Sequence, residues 1–552
     1  MVLTVSETSP GGPPVAATRQ TATLASMCLT VAMIVAGVAS LNNALPHIAE
    51  DLAVSQSGQQ WIVDAYAVVL AALLLPFGAL GDRFGRKVTL VAGVSIFGVA
   101  STLAAFASSG GTLIGARAAM GVGAAFAMPG TLSTITSVFP PEKRARAVGI
   151  WAGFAGAGGT LGMLLSGALL EGFWWGSTFL ASGLLAGIAL VTIVIAVPST
   201  RSTEPVGLDP LGSLLSIVGI GAVVLGIIEG PTRGWTDPLT LAGLIGGSLV
   251  LVGFVSAELA SRAPLLDPRL FRLRGFATGS ASLFLQFFAM FGFFLVGVQY
   301  LQLVLGYSAL GAAVAVLPMS AAMIPLAPVA ATLAERHGQR LIGAIGMAVS
   351  AAGLLLMATL DVGSGYVAFL PVLLLMGVGA PFAMTPATNG IVSSLPREKQ
   401  GVASAVNDTA RELGVAFGVA MIGSAFNTGY RGDIEPQLGG FAADAARAAQ
   451  EAPAVGLQVS RTLGEGGAQL AAITRDSFMA GLRWASLLGA LMLVIGAVYV
   501  RLHGPSVATQ HGEDVLDLTD GEPLPAALLD DPDGPRVDEP VPDGAVAPAE
   551  VT

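Results

Sequence analysis

The chain has 552 residues, of which 53% are hydrophobic and only 11% charged, and its mean hydropathy is +0.75. A soluble core cannot bury so much apolar side chain, so the composition excludes an ordinary soluble domain and favours a protein that spans a membrane many times. The net charge of −10 comes largely from the tail beyond 503, which is rich in Asp, Glu and Pro. Cys28 is the only cysteine, so no disulfide or cysteine metal site can form within one chain.

The first apolar stretch is too long for a signal-peptide core and lacks a small-residue cleavage site, so we expect it to remain as a membrane helix. Stretches of about 20 apolar residues, enough to cross a bilayer, recur along the chain and predict fourteen transmembrane helices. Their approximate spans are 24–45, 60–80, 88–108, 111–135, 147–170, 176–198, 210–229, 238–258, 276–304, 309–333, 341–360, 366–392, 401–426 and 478–501.

An internal repeat organises these helices. The string MGVGAAFAM at 120–128 returns as MGVGAPFAM at 376–384, with one change and an offset of 256 residues. A parallel repeat in apolar sequence is typical of transporters built from two similar helical halves. We therefore predict an all-α polytopic membrane protein with two six-helix lobes and two inserted helices between them.

The repeat assigns helices 1–6 to one lobe, helices 9–14 to the other, and helices 7 and 8 to an insert. The long loop between helices 13 and 14 contains an Ala-rich string, FAADAARAAQEA, that favours a surface helix. Both ends of the chain lie outside the repeat, and we expect them to be disordered. The predicted parts are a tail 1–23, a lobe 24–198, an insert 199–275, a lobe 276–502 that includes the extracytoplasmic loop 427–476, and an acidic tail 503–552.

Lysine and arginine are concentrated in alternate short loops, and the loops between them are nearly free of both, apart from Arg233. The positive-inside rule places the basic loops and both termini in the cytoplasm. Lysine occurs only three times against many arginines, which favours a high-GC bacterium and its cell membrane. The basic loops are 82–87, 142–146, 262–274, 336–340 and 397–399.

The loop between helices 2 and 3 reads GALGDRFGRK at 78–87. Its glycines permit a sharp turn and close helix contact, and its acid can pair with nearby cations or with a helix N-terminus. Taken alone, it is an ordinary basic loop with turn glycines. It also resembles, at every position, the signature loop G-x-L-x-D-x-x-G-R-K of the major facilitator superfamily, with a degenerate counterpart at 333–340. The candidate gating residues are Gly78, Asp82, Arg83, Gly85, Arg86 and Lys87.

Within that superfamily, the chain resembles the fourteen-helix drug:proton antiporters over about residues 24–502. The resemblance implies the major facilitator fold, proton-driven efflux by alternating access, and a contact between Asp82 and the cytoplasmic start of helix 13. Two of the strings that carry it are especially similar to exporters of quaternary ammonium dyes and antiseptics, WIVDAY and ALLEGFWW. The strings are WIVDAY at 61–66, ALLEGFWW at 168–175, LDPLG at 208–212, GW at 234–235 and YLQ at 300–302.

Two positions depart from the pattern of that family. Its usual helix 1 aspartate aligns with Gly37, and the proline of its helix 5 motif aligns with Met163. The first change removes a proton or cation site, and the second removes a helix kink. The glycine-lined face of helix 5 remains, with the candidate residues Gly158, Gly162 and Gly167.

Charged residues inside membrane helices are costly and are candidates for function. Asp64 lies about one turn into helix 2 from the outer side, where the alternative is a hydrated interfacial acid. For Arg117 in helix 4 the resemblance implies proton transfer, and the alternative is a structural arginine bonded to backbone carbonyls. The repeat places Leu373 at its position, so the helix does not need the arginine. We expect Asp64 to take up protons with Arg117 nearby.

Helix 13 carries a second group of charges. Asp408 and Arg411 are spaced to pair on one face of the helix, and Asp408 is near enough to the cytoplasmic end to be a solvated entry residue. Glu412 lies deeper, where only a cavity can bring water to it. We assign Glu412 to proton coupling or to the binding of cationic substrate.

Helix 9 is rich in phenylalanine, and aromatic rings attract cations. The alternative is ordinary contact with lipid or with neighbouring helices. Phe288 and Phe291 are the candidate substrate-binding residues from this helix. The sequence has no GxxxxGK[ST] loop, metalloprotease string or serine elbow, so we expect no nucleotide, cofactor, metal or nucleic acid as a partner.

These features predict a proton-coupled secondary transporter, not an enzyme, that exports hydrophobic and often cationic drugs or antiseptics. Its partners would be the small-molecule substrate, protons and the lipid bilayer. Three alternatives stay open: a narrow exporter of one metabolite or antibiotic, a proton-coupled uptake symporter, and a membrane sensor that keeps the fold without transporting.

Overall fold

Long apolar helices build both lobes of the protein. The computed structural model describes residues 17–54, 56–199, 209–261, 263–395, 399–464 and 466–505, and the predicted tails lie outside these ranges except at 17–23 and 503–505. Within the described residues, fourteen helices are long and apolar enough to cross a membrane, as the sequence predicts. Two short helices lie between the last two of them.

We number the helices in chain order. The first lobe contains α1 (Ala17–Asp51), α2 (Gln56–Phe84), α3 (Arg86–Ala105), α4 (Gly110–Val138), α5 (Pro141–Leu170) and α6 (Gly176–Ala196). The insert contains α7 (Pro210–Arg233) and α8 (Pro238–Ala260). The second lobe contains α9 (Arg274–Val304), α10 (Ala309–His337), α11 (Gln339–Met357), α12 (Tyr366–Ser393), α13 (Gln400–Ile434), the short α14 (Ala443–Glu451) and α15 (Pro453–Ser460), and α16 (Gly467–His503).

Several helices extend beyond their apolar cores. α1 begins at Ala17, α13 continues to Ile434 and α16 begins at Gly467, so the loop between α13 and α16 is shorter than predicted. Hydropathy detects only the part of a helix that lipid surrounds, whereas backbone hydrogen bonding continues into polar sequence. The Ala-rich string forms α14 as predicted, and the Tyr430 hydroxyl of α13 donates to the Ala449 carbonyl of α14 at 2.6 Å.

The two lobes repeat the same helix contacts. In the first lobe, α1 packs on α5 and α6, α3 packs on α4 and α6, and α2 packs on α4. In the second lobe, α9 packs on α13 and α16, α11 packs on α12 and α16, and α10 packs on α12. The sequence repeat is therefore a repeat of structure, and the inserted helices α7 and α8 pack on each other outside it.

Glycines bring equivalent helices together in each lobe. A Cβ atom on Gly123 of α4 would stand 2.5 Å from the backbone nitrogen of Phe97 and 2.7 Å from the carbonyl oxygen of Gly93, both in α3. In the second lobe, a Cβ atom on Gly379 of α12 would stand 2.6 Å from the carbonyl oxygen of Gly346 in α11. The helices pack backbone to backbone at both points, as small residues permit inside membranes.

The lobes meet along two seams, one between α2 and α13 and one between α5 and α10. The repeat relates these seams, because α2 corresponds to α10 and α5 corresponds to α13. The insert makes them different: α7 packs on both α2 and α13. Val223 and Ile227 of α7 share a buried apolar cluster with Ala420 of α13. The insert therefore covers the α2–α13 seam.

Candidate proton and substrate site between the lobes

Asp82 closes the α2–α13 seam at the end of the bundle that carries the basic loops. The residue is 1% exposed, and its carboxylate accepts hydrogen bonds from the backbone nitrogens of Gly401, at 2.8 and 2.9 Å, and Val402, at 3.2 Å. These nitrogens belong to the first turn of α13, where a helix favours a negative charge. The contact with the start of helix 13 that the family resemblance implies is therefore present.

Neighbouring residues hold Asp82 in this position. Arg86 donates to the Asp82 carboxylate at 3.3 Å, and Gly85 between the two helices has a φ of 104°, which favours glycine. A Cβ atom on Gly78 would stand only 2.7 Å from the carbonyl oxygen of Gly401. A glycine at 78 thus lets α2 approach α13 closely enough for Asp82 to reach the helix end.

Two other cations of the loop contact residues of their own lobe. Lys87 donates to the Val194 carbonyl of α6 at 2.8 Å and so joins two helices of the first lobe. Arg83 lies beside the exposed ring of Phe84, with 5.9 Å between its guanidinium carbon and the ring centre. Lys87 therefore ties the loop to its own lobe, while Asp82 reaches the opposite one.

Arg117 is fully buried in the first lobe. Its Nε donates to the Ile62 carbonyl of α2 at 3.0 Å, its Nη1 donates to the Gly37 carbonyl of α1 at 3.3 Å, and its guanidinium carbon lies 4.6 Å from the centre of the Tyr66 ring. Its Nη2 has no hydrogen-bond partner among the described residues. Both bonds end on backbone carbonyls, as a structural arginine requires, yet one nitrogen is left unsatisfied.

The position of the missing family aspartate adjoins this cation. The Gly37 carbonyl is one of the two acceptors of Arg117, and a Cβ atom on Gly37 would meet the ring of Phe97 at 3.2 Å. No ion pair within the described residues includes Arg117. The resemblance implies an aspartate at position 37, next to the Arg117 guanidinium. In this protein the guanidinium has no carboxylate partner among the described residues.

Asp64 faces away from Arg117, contrary to our expectation. It is half-buried, lies about two turns into α2 rather than one, and its side chain is bonded to Gln60 and lies near the Glu229 carboxylate of α7. Ile62 and Tyr66, which touch Arg117, are one helical turn apart on one face of α2, and Asp64 between them points to the other side. Asp64 therefore belongs with the insert, and the expected pair is not formed.

A buried cluster on α13 contains Asn407, Asp408 and Arg411. An oxygen of Asp408 accepts from Arg411 at 3.3 Å and from the Asn407 amide at 3.1 Å, so the pairing predicted from their spacing is confirmed. The expectation that Asp408 is solvated is wrong, because Asp408 is fully buried. Helices α2 and α4 of the opposite lobe pack on α13, so distance from the helix end does not determine exposure on this helix.

Glu412 follows this cluster and differs from it in access to water. Its side chain is half-buried, and it takes part in no ion pair within the described residues. It lies near enough to Tyr66 for the two groups to interact electrostatically, although Tyr66 belongs to the first lobe. Tyr66 thus stands between the carboxylate of one lobe and Arg117 of the other.

The phenylalanines of α9 differ in what they face. Phe288 is fully buried, while Phe291 is half-buried and stacks on Phe287 with 6.0 Å between ring centres. Phe287 in turn lies under the guanidinium of Arg411, at 4.7 Å. The ring that contacts the charged cluster is therefore Phe287, next to the Phe288 that the sequence analysis selected.

The glycines of α5 serve two different contacts. Cβ atoms on Gly158 and Gly162 would meet α1, at 2.9 Å from the Val35 side chain and 2.4 Å from the Ala36 carbonyl. A Cβ atom on Gly167 would meet Leu310 of α10, at 3.3 Å. The first two glycines therefore pack the first lobe internally, and Gly167 lies on the α5–α10 seam.

Four residues that sequence reasoning did not select complete the site: Tyr66, Trp151, Glu229 and Phe287. Tyr66 lies inside the string WIVDAY, which was valued only for its aspartate. Glu229 is a nearly buried acid in an apolar helix, a signal that was available in the sequence. Phe287 belongs to the phenylalanine-rich helix 9, from which only Phe288 and Phe291 were selected. Trp151 carries no signal, because aromatic residues are common in membrane helices.

Buried charges and aromatic rings between two repeated helical lobes define a membrane transporter. A scan against protein families agrees: the model described as Major Facilitator Superfamily matches residues 27–419. The chain therefore belongs to this superfamily, whose members are secondary transporters rather than enzymes.

Curated relatives support the same family. The multidrug efflux pump LfrA of Mycolicibacterium smegmatis is 33% identical over 88% of this chain and 96% of its own. The methyl viologen resistance protein SmvA of Salmonella typhimurium is 33% identical over 78% of this chain and 87% of its own. The tetracenomycin C resistance and export protein of Streptomyces glaucescens is 31% identical over 86% of this chain and 90% of its own.

Solved structures support the fold. The human organic anion transporter MFSD10 superposes with a TM-score of 0.59 at 13% identity, covering 89% of this chain and 100% of its own. The proton:xylose symporter XylE superposes with a TM-score of 0.55 at 14% identity, covering 89% of this chain and 97% of its own. At such low identities the likeness extends to the fold alone.

Proposed function

We propose that the protein exports hydrophobic, often cationic compounds in exchange for protons, by alternating access between its two lobes. The observation that carries this proposal is Glu412, a half-buried carboxylate at the lobe interface with no ion pair within the described residues. Such a group can hold a proton or attract an organic cation, and the two compete for one charge. That competition couples proton entry to substrate release.

The names of the relatives support the substrate class. One relative is a multidrug efflux pump, and another confers resistance to methyl viologen, which is an organic dication. Phe291 presents a partly accessible ring near the charged cluster, and Phe288 backs it from within the lobe. A narrow exporter stays open as an alternative, because the tetracenomycin C protein is named for a single compound. An uptake symporter stays open because XylE has the same fold.

We assign the other candidate residues to coupling and gating. Asp64 takes up protons beside the insert, near Glu229. Arg117 and Glu412 act on coupling from either side of Tyr66, separately from Asp64. Asp82, with Gly78, Gly85 and Arg86, keeps the cytoplasmic end closed until the lobes rock. The glycines of α5 allow α1 and α10 to slide along it.

The protein is an integral membrane protein, and we propose the cell membrane of a high-GC bacterium as its location. The basic loops and both termini would then be cytoplasmic, and the segment between α13 and α16 extracytoplasmic. We propose the functional divisions 24–198, 199–275 and 276–502 for the first lobe, the insert and the second lobe. Accumulation of a fluorescent cation in cells, with and without a protonophore, tests the direction: an exporter accumulates less dye while the gradient lasts.

Glu412→Gln tests the substrate site. Export of permanently cationic dyes should fall by about tenfold, and export of neutral dyes should fall much less, because the Coulomb attraction of a carboxylate is large in a partly dehydrated site. Transport rates in everted vesicles measure both. Glu451→Gln, at an exposed acid in α14, is the control and should change neither rate. Equal losses for cationic and neutral dyes would assign Glu412 to coupling alone.

Asp64→Asn tests the proton site. Substrate-driven proton movement in proteoliposomes should disappear, because the amide does not titrate and so cannot take up or release a proton, while binding of substrate persists. A pH-sensitive dye inside the vesicles and a binding assay on the same protein measure the two. Asp444→Asn, at an exposed acid, is the control. Proton movement at the wild-type ratio in Asp64→Asn would leave coupling to the α13 cluster.

A further inference from the structure

Arg411 lies between two aromatic rings that belong to different lobes. Its guanidinium carbon is 5.6 Å from the ring centre of Trp151 in α5 and 4.7 Å from that of Phe287 in α9, and the residue is only 3% exposed. Cations are attracted to the faces of aromatic rings. The surroundings that an organic cation requires are therefore present and are filled by a side chain of the protein itself.

The charge pairing of Arg411 is incomplete. It bonds one oxygen of Asp408 at 3.3 Å, while the second oxygen of Asp408 and the Nε of Arg411 are buried without hydrogen-bond partners in the described part of the chain. The side-chain oxygen of Asn407 is likewise unsatisfied. Buried polar groups without partners are costly, so this arrangement leaves free energy that a better-fitting ligand can recover.

Glu412 gives this cluster a point of access. It is half-buried, and it lies one helical turn beyond Asp408 on the same face of α13. A cation drawn to Glu412 therefore arrives one turn from the buried Asp408, beside the guanidinium that already occupies the rings. Only one positive charge fits between Trp151 and Phe287, because two cations at this separation repel each other strongly in a dehydrated site.

We propose that Arg411 is an internal stand-in for the cationic substrate. A planar organic cation displaces the guanidinium from between Trp151 and Phe287 and takes over the neutralisation of Asp408. A neutral compound cannot neutralise Asp408, so it binds beside Arg411 and not in its place. The inference rests on the proposed export of cations and names the residue that selects them.

Displacement also has a consequence for the lobes. Trp151 belongs to the first lobe, while Arg411, Asp408 and Phe287 belong to the second, so the stacked guanidinium is a contact between lobes. A substrate that takes the place of Arg411 makes the same contact through a molecule that can leave. Binding of a cationic substrate thereby replaces the permanent contact of Arg411 with Trp151 by a contact that ends when the substrate leaves.

Two variants of Arg411 test the proposal by binding alone, with purified protein in detergent. Arg411→Gln removes the competing charge, so ethidium, a planar cation, should bind about tenfold more tightly. Arg411→Lys keeps Asp408 neutralised but stacks less well on rings, so ethidium should bind about threefold more tightly. Nile red, a neutral dye, should bind to both variants as it does to the wild type. Fluorescence titration measures each dissociation constant.

Arg447→Gln is the matched control, because Arg447 and Asp444 form an exposed pair with the same spacing as Arg411 and Asp408. It should leave both dissociation constants unchanged. Arg411→Lys decides the question even where Arg411→Gln does not fold, since it buries no unpaired acid. If the wild type binds ethidium and neither foldable Arg411 variant binds it more tightly, the stand-in role is wrong and the proposed function stands. If every form binds Nile red but none binds ethidium, both the stand-in role and the proposed export of cations are wrong.

Discussion

The loop after α2 and its repeat after α10 have the same backbone conformation at their central glycine, but they differ in what they contact. Gly85 and Gly338 both separate two helices with a positive φ, 104° and 87°. Three residues earlier, Asp82 is buried against the start of α13, whereas its counterpart Glu335 is exposed. Duplication therefore preserved the turn in both lobes, while only one lobe uses the acid to hold the opposite one.

The helix that each loop approaches explains part of this difference. α13 begins at Gln400, and the backbone nitrogens of Gly401 and Val402 in its first turn donate to Asp82. α5 begins with Pro141, which has no N–H, and the N–H of Lys143, its third residue like Val402 in α13, already donates to the Pro140 carbonyl at 3.0 Å. An acid after α10 would meet fewer donors at that helix end. The two seams are thus related by the repeat, but they differ in the hydrogen bonds made at the helix ends beside the basic loops.

Asp82→Asn should break this asymmetry, with the largest effect that we expect. Losing the charge on the acceptor of the two α13 nitrogens should weaken closure of the cytoplasmic end and slow transport by about tenfold to a hundredfold. Glu335→Gln, the matched change in the other lobe, should leave transport unchanged. Initial export rates of a cationic dye measure both. Normal export by Asp82→Asn would remove the gating role.

The same pair of variants can be followed structurally, because Cys28 is the only cysteine. In a Cys28→Ser protein, a cysteine introduced in place of the buried Ala405 reports opening of the α2–α13 seam through its rate of thiol labelling. Asp82→Asn should accelerate labelling, and Glu335→Gln should not. Unchanged labelling in both would mean that Asp82 does not hold the seam.

Arg117→Leu gives the first lobe the residue that the second lobe has at the repeated position, Leu373, and sharpens the comparison. Both side chains are fully buried, and the arginine has an unsatisfied nitrogen, so the protein should still fold with a thermal stability near that of the wild type. Coupled export should fall about five- to tenfold, because the link from Tyr66 to the cation is lost. A purified variant that unfolds would instead show that Arg117 holds the lobe together.

Gly123→Ala and Gly379→Ala test the part of the comparison in which the lobes are alike. Each added methyl meets backbone of the neighbouring helix, so each should cost about 1–3 kcal/mol of stability, and the two should agree. Gly115→Ala, whose methyl would meet nothing within 4 Å, is the control. Thermal unfolding in detergent ranks the three. The helix packing of the two lobes would not be equivalent if the stabilities of Gly123→Ala and Gly379→Ala differed from each other by more than they differ from that of Gly115→Ala.

The sequence predicted the fold because lipid imposes simple rules. A helix must be apolar over the thickness of the bilayer, so hydropathy located all fourteen, and the repeated string located the lobes. The contact of Asp82 was also accessible, since the loop resembles a known signature. The exact helix ends were not accessible, because α13 and α16 continue beyond the apolar segment into polar sequence.

The candidate site was less predictable, because it depends on which helix faces which side chain. Asp64 and Tyr66 are two residues apart, but only the packing of α7 and α4 on α2 decides that the first faces the insert and the second faces Arg117. Asp408 was expected in water because it lies near the cytoplasmic end of its helix. That expectation failed because distance along a helix does not reveal which other helices cover a residue. Phe287 and Phe288 are adjacent, and only the position of α13 separates their roles.

The insert across α2 and α13 also determines how a molecule dissolved in the bilayer can approach the centre of the protein. A compound that diffuses laterally in the membrane cannot slip between α2 and α13 without displacing α7, whose Val223 and Ile227 are buried there with Ala420. α7 therefore covers this route from the bilayer independently of the Asp82 contact at the helix end. The two inserted helices thus make the two sides of the repeated bundle different. A hydrophobic compound in the bilayer meets α7 at the α2–α13 seam, whereas no inserted helix covers the α5–α10 seam in the described part of the chain.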